Sequence, residues 1–260
     1  MYHVQAAWRA VCRLAPIAVY NTRSGVCDAQ CAPADCAGVK KKDKGVAIDD
    51  ALRAALKAPP LPRAFYDRET LTVARELIGK TLLRRTTDGV AGGMIVETEA
   101  YTAANDPAAH GFRGQTPRNR SMFGGPGYAY VYRSYGIHSC LNVVTEGRGI
   151  AAAVLIRAIR PQIGVELMRR RRGERVADRD LARGPGRLCQ ALALTIDDDG
   201  ADLLGPALWL TEMPGQDEAP PIATTTRIGI TQAADLPWRF VVVGDPYISA
   251  RGVPAPDVSK

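Results

Sequence analysis

Between Ile95 and Arg120 the chain reads IVETEAYTAANDPAAHGFRGQTPRNR, and this stretch holds most of its chemically capable side chains. In an extended strand successive side chains alternate, so Glu97, Glu99 and Tyr101 share one face and Val96, Thr98 and Ala100 the other. Two carboxylates and a phenol in that pattern are most simply a solvated strand face. Their company argues for more, because His110, Arg113, Arg118, Asn119 and Arg120 follow closely. A carboxylate can take a proton from water, an imidazole and a phenol can hold a heterocycle, and arginines can grip phosphate. Together they suit chemistry on a nucleobase.

A second group lies in YAYVYRSYGIH, residues 128–138. Tyr128, Tyr130 and Tyr132 alternate onto one strand face, and Tyr135 stands beside Gly136 where a hairpin would turn. Cross-strand aromatic packing would account for them. So would a stacking wall at Tyr132 with a wedge at Tyr135, since aromatic rings stack on bases and wedges fill the gap left by an extruded nucleotide. Arg183 and Arg187 flank a Gly-Pro-Gly that opens a helix, and exposed N–H groups at a helix start can seat a phosphate. The run Arg169–Arg172 ends a helix and reads as a solvated terminus, and His138 reads as structural.

The elements that must position these groups follow from periodicity. Leu71, Ala74, Leu77 and Ile78 form a helical stripe with Asp67 as the candidate N-cap and Gly79 as the stop. Strands are expected at Thr81–Arg85, Met94–Tyr101, Tyr128–Arg133, Ile137–Val144, Ala152–Ile159, Ala207–Leu210, Arg227–Ile230 and Trp238–Val243, with a turn at Asp88-Gly89. Helices are expected at Gly164–Arg172 and Gly186–Leu194. Strands and helices mixed without a βαβ rhythm predict an α+β fold, a single mixed domain with a curved antiparallel sheet, surrounding helices and a protruding β-hairpin.

Residues 1–62 read as a poorly ordered extension with a short helix at 48–57 and a stiff Pro59-Pro60-Leu61-Pro62 hinge, residues 63–253 as the domain, and 254–260 as a tail. Cys12, Cys27, Cys31 and Cys36 lack paired C-x2-C spacing, so no metal site is expected, and Cys140 and Cys189 are expected in the core. The 260 residues carry a formal charge of +7, which favours a polyanionic partner. No run of eighteen apolar residues is present, and a cytoplasmic protein without a membrane partner is expected.

VETEAY, DPAAH, TPRNRSMFG, YVYRSYGIHSCLNV, VLIRAIRP, GPGRLCQAL, and RIGI followed by PWRF occur in this order over about Phe65 to Gly252. This series resembles the alkyladenine (3-methyladenine) DNA glycosylase family. The first sixty residues have no counterpart in it. The resemblance implies a monomer that flips a damaged purine from double-stranded DNA and hydrolyses its N-glycosidic bond in base excision repair, with no cofactor and no metal. It implies Glu99 as general base and Arg157 near the attacking water. It implies Tyr101, His110 and Tyr132 around the base, Asn142 selecting against guanine's amino group, and Tyr135 as wedge. Arg118, Arg120, Arg183 and Arg187 are the candidate phosphate contacts. In a bacterium such an enzyme would sit at the nucleoid. Strand alternation alone does not choose Glu99 over Glu97. Two other readings remain at this point: a metal-dependent nuclease or phosphoesterase using Glu97, Glu99, Asp106 and His110, and a module that binds damaged DNA without chemistry.

Overall fold

A computed structural model of the chain describes residues 53–212 and 218–249. The four N-terminal cysteines, the tail at 254–260 and the first part of the 48–57 helix lie outside the described residues, whereas residues 53–57 are helical. Then follow α1 (Arg63–Tyr66), α2 (Thr70–Glu76), β1 (Thr81–Thr86), β2 (Gly89–Tyr101), β3 (Ala129–Ser134), β4 (His138–Val144), β5 (Ala153–Ile163), α3 (Val165–Arg172), α4 (Pro185–Leu192), β6 (Leu208–Thr211), β7 (Ile222–Thr225) and β8 (Arg239–Val242). The eight strands make one antiparallel sheet in the order β3-β4-β5-β2-β1-β6, with β8 joined to β2 and β7. The architecture is the expected α+β single domain.

β2 organises the sheet. Along one edge it pairs with β5; along the other it pairs first with β1 and then, at Glu97–Glu99, with β8. Its ladder with β5 is irregular at Gly92/Gly93 and between Ile95 and Thr98, and such bulges add twist to a strand pair. Gly92 and Gly93 are required by close approach: a Cβ there would lie 2.2 Å from the Leu82 carbonyl oxygen and 2.0 Å from that of Arg160. The ladder shifts and returns across the second irregularity (Ile95 opposite Ile159, Glu97 opposite Ala158, Thr98 opposite Ile156), so Arg157 falls between the partners of Glu97 and Thr98.

The Val96 and Ala100 face of β2 enters the main core with Val73, Ala74 and Leu77. Thr98 Oγ1 donates to the Ala74 carbonyl at 2.8 Å, which ties the strand to α2. Leu77, Leu82, Ile95 and Ile156 are fully buried, each contributing about 1.5–3 kcal/mol relative to exposure. Cys140 and Cys189 are buried as expected. Upstream, Ala55 packs with Leu83, Ile163 and Trp209, and Leu61 N–H donates to the Leu210 carbonyl at 2.8 Å. Residues 53–61 thus lie along β6, where an uncovered edge would offer unpaired backbone groups. Among the described residues no helix is long and apolar enough to cross a membrane.

Two local expectations are corrected. The N-cap of α2 is Glu69, whose side chain accepts from Thr72 N; Asp67 instead ends α1. Arg227–Ile230 forms no strand, and the strand lies earlier, at Ile222–Thr225. The Arg227 side chain is drawn into the interior by Asp106, and the Ile228 N–H bonds a side chain rather than a neighbouring strand.

The β3–β4 hairpin turns through Tyr135 and Gly136, and Ile137 N–H donates to the Ser134 carbonyl. Both central residues have positive φ (51° and 74°), as a type I′ turn requires. Tyrosine is a poor choice at the first of these positions. The left-handed conformation costs a non-glycine residue of order 1–3 kcal/mol, and such strain gathers at functional sites.

Candidate active site

The Glu97, Glu99 and Tyr101 face is not solvated. Both carboxylate side chains are 0% exposed. The burial comes from chain far away: Ile228, Arg239 and Ser249 all bond this face. Glu97 accepts four bonds, from Arg157 Nε (3.0 Å), Arg239 Nε (2.7 Å), Ser249 Oγ (2.8 Å) and Ser249 N (2.6 Å). Glu99 accepts three, from Tyr101 OH (2.9 Å), Arg157 Nη1 (3.0 Å) and Ile228 N (2.7 Å). Each carboxylate oxygen offers about two acceptor sites: three of the Glu97 donors crowd onto Oε1, whereas Glu99 has two donors on Oε2 and one on Oε1, which keeps a site. Two carboxylates face two guanidiniums, and the buried group is neutral overall.

Burial alone would raise the Glu97 carboxyl, but Arg157, Arg239 and the Ser249 N–H outweigh it and hold it below its usual range. A carboxyl depressed by folding stabilises the fold above its unfolded value, about 4.3, and loses that stabilisation as pH falls through the folded value. Glu97→Gln is therefore expected to lower the melting temperature at neutral pH and to differ less from the unsubstituted chain as pH drops below about 4. Calorimetry at both pH values checks this, and an equal difference at the two would contradict it. Arg157 is disfavoured as a cation by burial, yet Glu99 and Glu97 raise it further and keep it charged.

Beside this group lies a cavity of 260 Å³, walled by Tyr101, His110, Tyr132, Asn142, Ile230 and the tip end of the hairpin, Arg133 to Tyr135. It is near the lower end of small-molecule sites. Glu99 stands one hydrogen bond behind the wall, held by the Tyr101 hydroxyl. Burial first, then Glu99, raises the Tyr101 phenol, so it stays protonated and donates. The floor is a second apolar cluster of Ala109, Met122, Tyr130, Val144, Ala151 and Ala153, on which Tyr101 and Tyr132 pack.

The tyrosine row divides. Tyr130 and Tyr132 stack with centroids 5.6 Å apart, whereas Tyr128 lies under the Arg63 guanidinium, 4.5 Å from its ring, and takes no part in the cavity. Tyr130 is a site residue that alternation alone did not single out: its hydroxyl lies 2.8 Å from His110 Nδ1. Burial, with a smaller push from Arg118, lowers His110 below its usual range, so the ring is neutral near pH 7. His110 meets Tyr132 edge-on at 4.4 Å, too close for a base to lie between them. Asn142 donates through Nδ2 to the Tyr130 and Cys140 carbonyls, which leaves its own carbonyl oxygen for a ligand.

Tyr135 at the hairpin tip is 90% exposed and Ile137 beside it 75%. Arg118 lines the cavity and donates to the Arg133 carbonyl; Arg120 is exposed nearby. Neither carries an ion pair among the described residues. Arg183 donates to the Ile248 carbonyl and shares Asp180 with Arg187, which is half-exposed. The Arg169–Arg172 run is partly exposed but mostly paired within the chain, with Arg169 on Glu166 and Asp178 and Arg172 on the Leu181 carbonyl.

A nuclease would need Glu97, Glu99, Asp106 and His110 to converge on metal. Instead the carboxylates hold Arg157 and Arg239, Asp106 pairs with Arg227, and His110 faces Tyr130.

An antiparallel sheet thus buries a carboxylate behind an aromatic cavity, with a strained aromatic tip beside it. The profile of the methylpurine-DNA glycosylase family matches residues 64–246. Relatives carrying the provisional name 3-methyladenine DNA glycosylase include one from Rhodopseudomonas palustris strain HaA2, 54% identical over 191 residues, covering 74% of this chain and 90% of that protein. One from Methanoculleus marisnigri is 50% identical over 193 residues, covering 74% and 99%, and one from Agrobacterium fabrum is 49% identical over 197 residues, covering 76% and 96%. The chain belongs to the methylpurine-DNA glycosylase family, the DNA-repair hydrolases of N-glycosyl bonds.

Proposed function

We propose that the protein draws alkylated purines out of duplex DNA into the cavity behind the hairpin and hydrolyses their N-glycosidic bond, with Glu99 as general base. The observation that carries this reading is the contrast between the two glutamates. Glu97 is bound by four donors, none of which lines the cavity, while Glu99 is tied to the cavity wall through Tyr101 and keeps an acceptor site on Oε1 for water. The names of the relatives support 3-methyladenine as a substrate.

Glu99 takes a proton from that water as its oxygen bonds to C1′ of the deoxyribose. The C1′–N bond breaks and its electron pair stays with the purine. An N3- or N7-alkylated purine carries a positive charge beforehand, so it departs as a neutral base without an acid. The buried carboxylate also offsets positive charge on the sugar in its oxocarbenium-like transition state. Arg157 fixes Glu99 from behind. No lysine acts as nucleophile, so the product is an abasic site in an uncut strand.

Tyr132 offers its face to the base, and electron-rich rings favour cationic purines. The His110 ring swings off Tyr132 to admit it, Tyr101 lies alongside, and Asn142 meets the base edge. Tyr135 fills the gap left in the helix. Arg118 and Arg120 take phosphates on the cavity side, with Arg187 and, behind it, Arg183 on the other flank of the hairpin. The protein works as a monomer on duplex DNA, in the cytoplasm and, in a bacterium, at the nucleoid.

Duplexes each carrying 3-methyladenine, 7-methylguanine, hypoxanthine or ethenoadenine, incubated in chelator, test the reading by chromatography. Free base from an uncut strand is expected from at least one of them; strand cutting, or binding with no release, overturns it. Tyr135→Gly is expected to slow release about tenfold or more at limiting enzyme, through lost extrusion, while the strained turn relaxes and thermal stability holds or rises. Unchanged release would remove Tyr135 from the wedge role.

A further inference from the structure

We infer that Arg227 and Asp106, which no step above uses, are positioning residues for the general base: their buried ion pair sets the backbone N–H that holds Glu99 and the two loops that wall the cavity. The inference rests on the assignment of Glu99 as base.

Both side chains are 0% exposed, and Arg227 grips Asp106 through Nη1 (2.7 Å) and Nη2 (2.8 Å). Removing two charges from water is costly, and an apolar pair of similar volume often serves stability as well. What this pair supplies is geometry. The guanidinium lies 4.7 Å from the Tyr101 ring and 5.0 Å from the Trp238 ring. Nη1 also donates to the Ala100 carbonyl at the end of β2, and Nη2 to the Ala233 carbonyl. Asp106 in turn accepts from Thr102 N and Ala108 N, both at 3.2 Å.

One planar cation thus joins three segments. These are the end of the strand bearing Glu99, the loop leading through Ala108 to His110, and the loop from Arg227 to Ala233. The residue after Arg227 gives its N–H to Glu99 Oε1 at 2.7 Å, and the next two, Gly229 and Ile230, line the cavity. Tyr101, under the guanidinium, gives its hydroxyl to Glu99 Oε2. Two of the three donors on the base therefore take their places from Arg227. Misplacing a reacting group by about 1 Å can cost on the order of 10²-fold in rate.

The experiment measures single-turnover release of 7-methylguanine and affinity for the lesion duplex in Arg227→Met, Arg227→Lys and Ile228→Pro, each also combined with Glu99→Gln. Arg227→Met is expected to lower the release rate on the order of 10²-fold with affinity changed less than about threefold, and Arg227→Lys to recover part of the loss. Ile228→Pro deletes the N–H and leaves the ion pair, and it is expected to slow release in the same way. Combined with Glu99→Gln, neither substitution lowers the residual rate further, because the group it positions is already gone. Release within about threefold of the unsubstituted chain overturns the inference, as does a loss of affinity equal to the loss of rate, or effects that multiply with Glu99→Gln. Should Arg227→Met fail to fold, Ile228→Pro decides by the same criteria. A fully active Glu99→Gln chain brings down the base assignment and this inference together; an inactive one beside a fully active Ile228→Pro overturns this inference alone.

Discussion

Glu99→Gln is expected to slow purine release by about 10²–10⁴-fold, the usual contribution of a positioned base, while the protein still binds lesion duplex. The amide keeps the shape of the carboxylate but not its acceptors. Ile228 N donates to one oxygen, and Tyr101 OH and Arg157 Nη1 to the other. Whichever way the amide turns, its NH2 group faces a donor. A buried clash of that kind costs about 1–3 kcal/mol, or roughly 2–12 °C of melting temperature in a domain of this size. The loss of rate should far exceed what that destabilisation explains at 25 °C. The size of the loss should depend on the leaving group. A 7-methylguanine that departs unaided should show the low end, and hypoxanthine, with no charge of its own, the high end. Single-turnover kinetics with each lesion checks both points, and release within about threefold of the unsubstituted rate would remove Glu99 from the reaction.

Arg157→Met is expected to be the most damaging substitution for the fold. Arg157 Nε and Nη1 reach Glu97 and Glu99 at 3.0 Å each, and both carboxylates are buried. Without the cation, Glu97 still has Arg239 and Ser249, but Glu99 is left with two neutral donors. Removing one partner of a buried ion pair costs about 3–5 kcal/mol. For a domain of this size that is roughly 6–20 °C of melting temperature. Arg157→Lys should fall between, because one ammonium cannot span two carboxylates as the guanidinium fork does. Thermal melts of the three proteins are the check; an Arg157→Met chain that melts within about 2 °C of the unsubstituted one would mean that the network does not hold the site together.

The strands that carry the site were legible in the sequence wherever alternation ran unbroken. β1 to β5 and the Tyr135-Gly136 tip follow from local rules about pleat and turn, though β2 starts at Gly89 rather than Met94, which puts the turn before it at Thr87-Asp88 rather than Asp88-Gly89. Alternation also put Glu97, Glu99 and Tyr101 together. It could not show that they are buried, because their cover comes from residues 228 to 249, more than a hundred positions away. β7 was misplaced for a related reason. Arg227–Ile230 has a strand-like composition, but its arginine is pulled inward by Asp106 and its backbone is used on Glu99. A signal did exist in PWRFVVV, where Arg239 interrupts an apolar run. An arginine in such a place is almost never buried unless it is paired, and it points to a buried carboxylate elsewhere. Arg157 in VLIRAI is the same kind of signal. Nothing local marks Ser249 or the Ile228 N–H, since the first is an ordinary serine and the second is backbone.

A crystal structure of Glu99→Gln bound to a duplex with one alkylated purine tests the central claim most directly. The account predicts the damaged base on the face of Tyr132 with His110 turned aside, Tyr135 in its place in the helix, and a water about 3–3.5 Å from C1′ next to residue 99. A damaged base still stacked in the duplex, or one lodged where residue 99 cannot reach its sugar carbon, would contradict it.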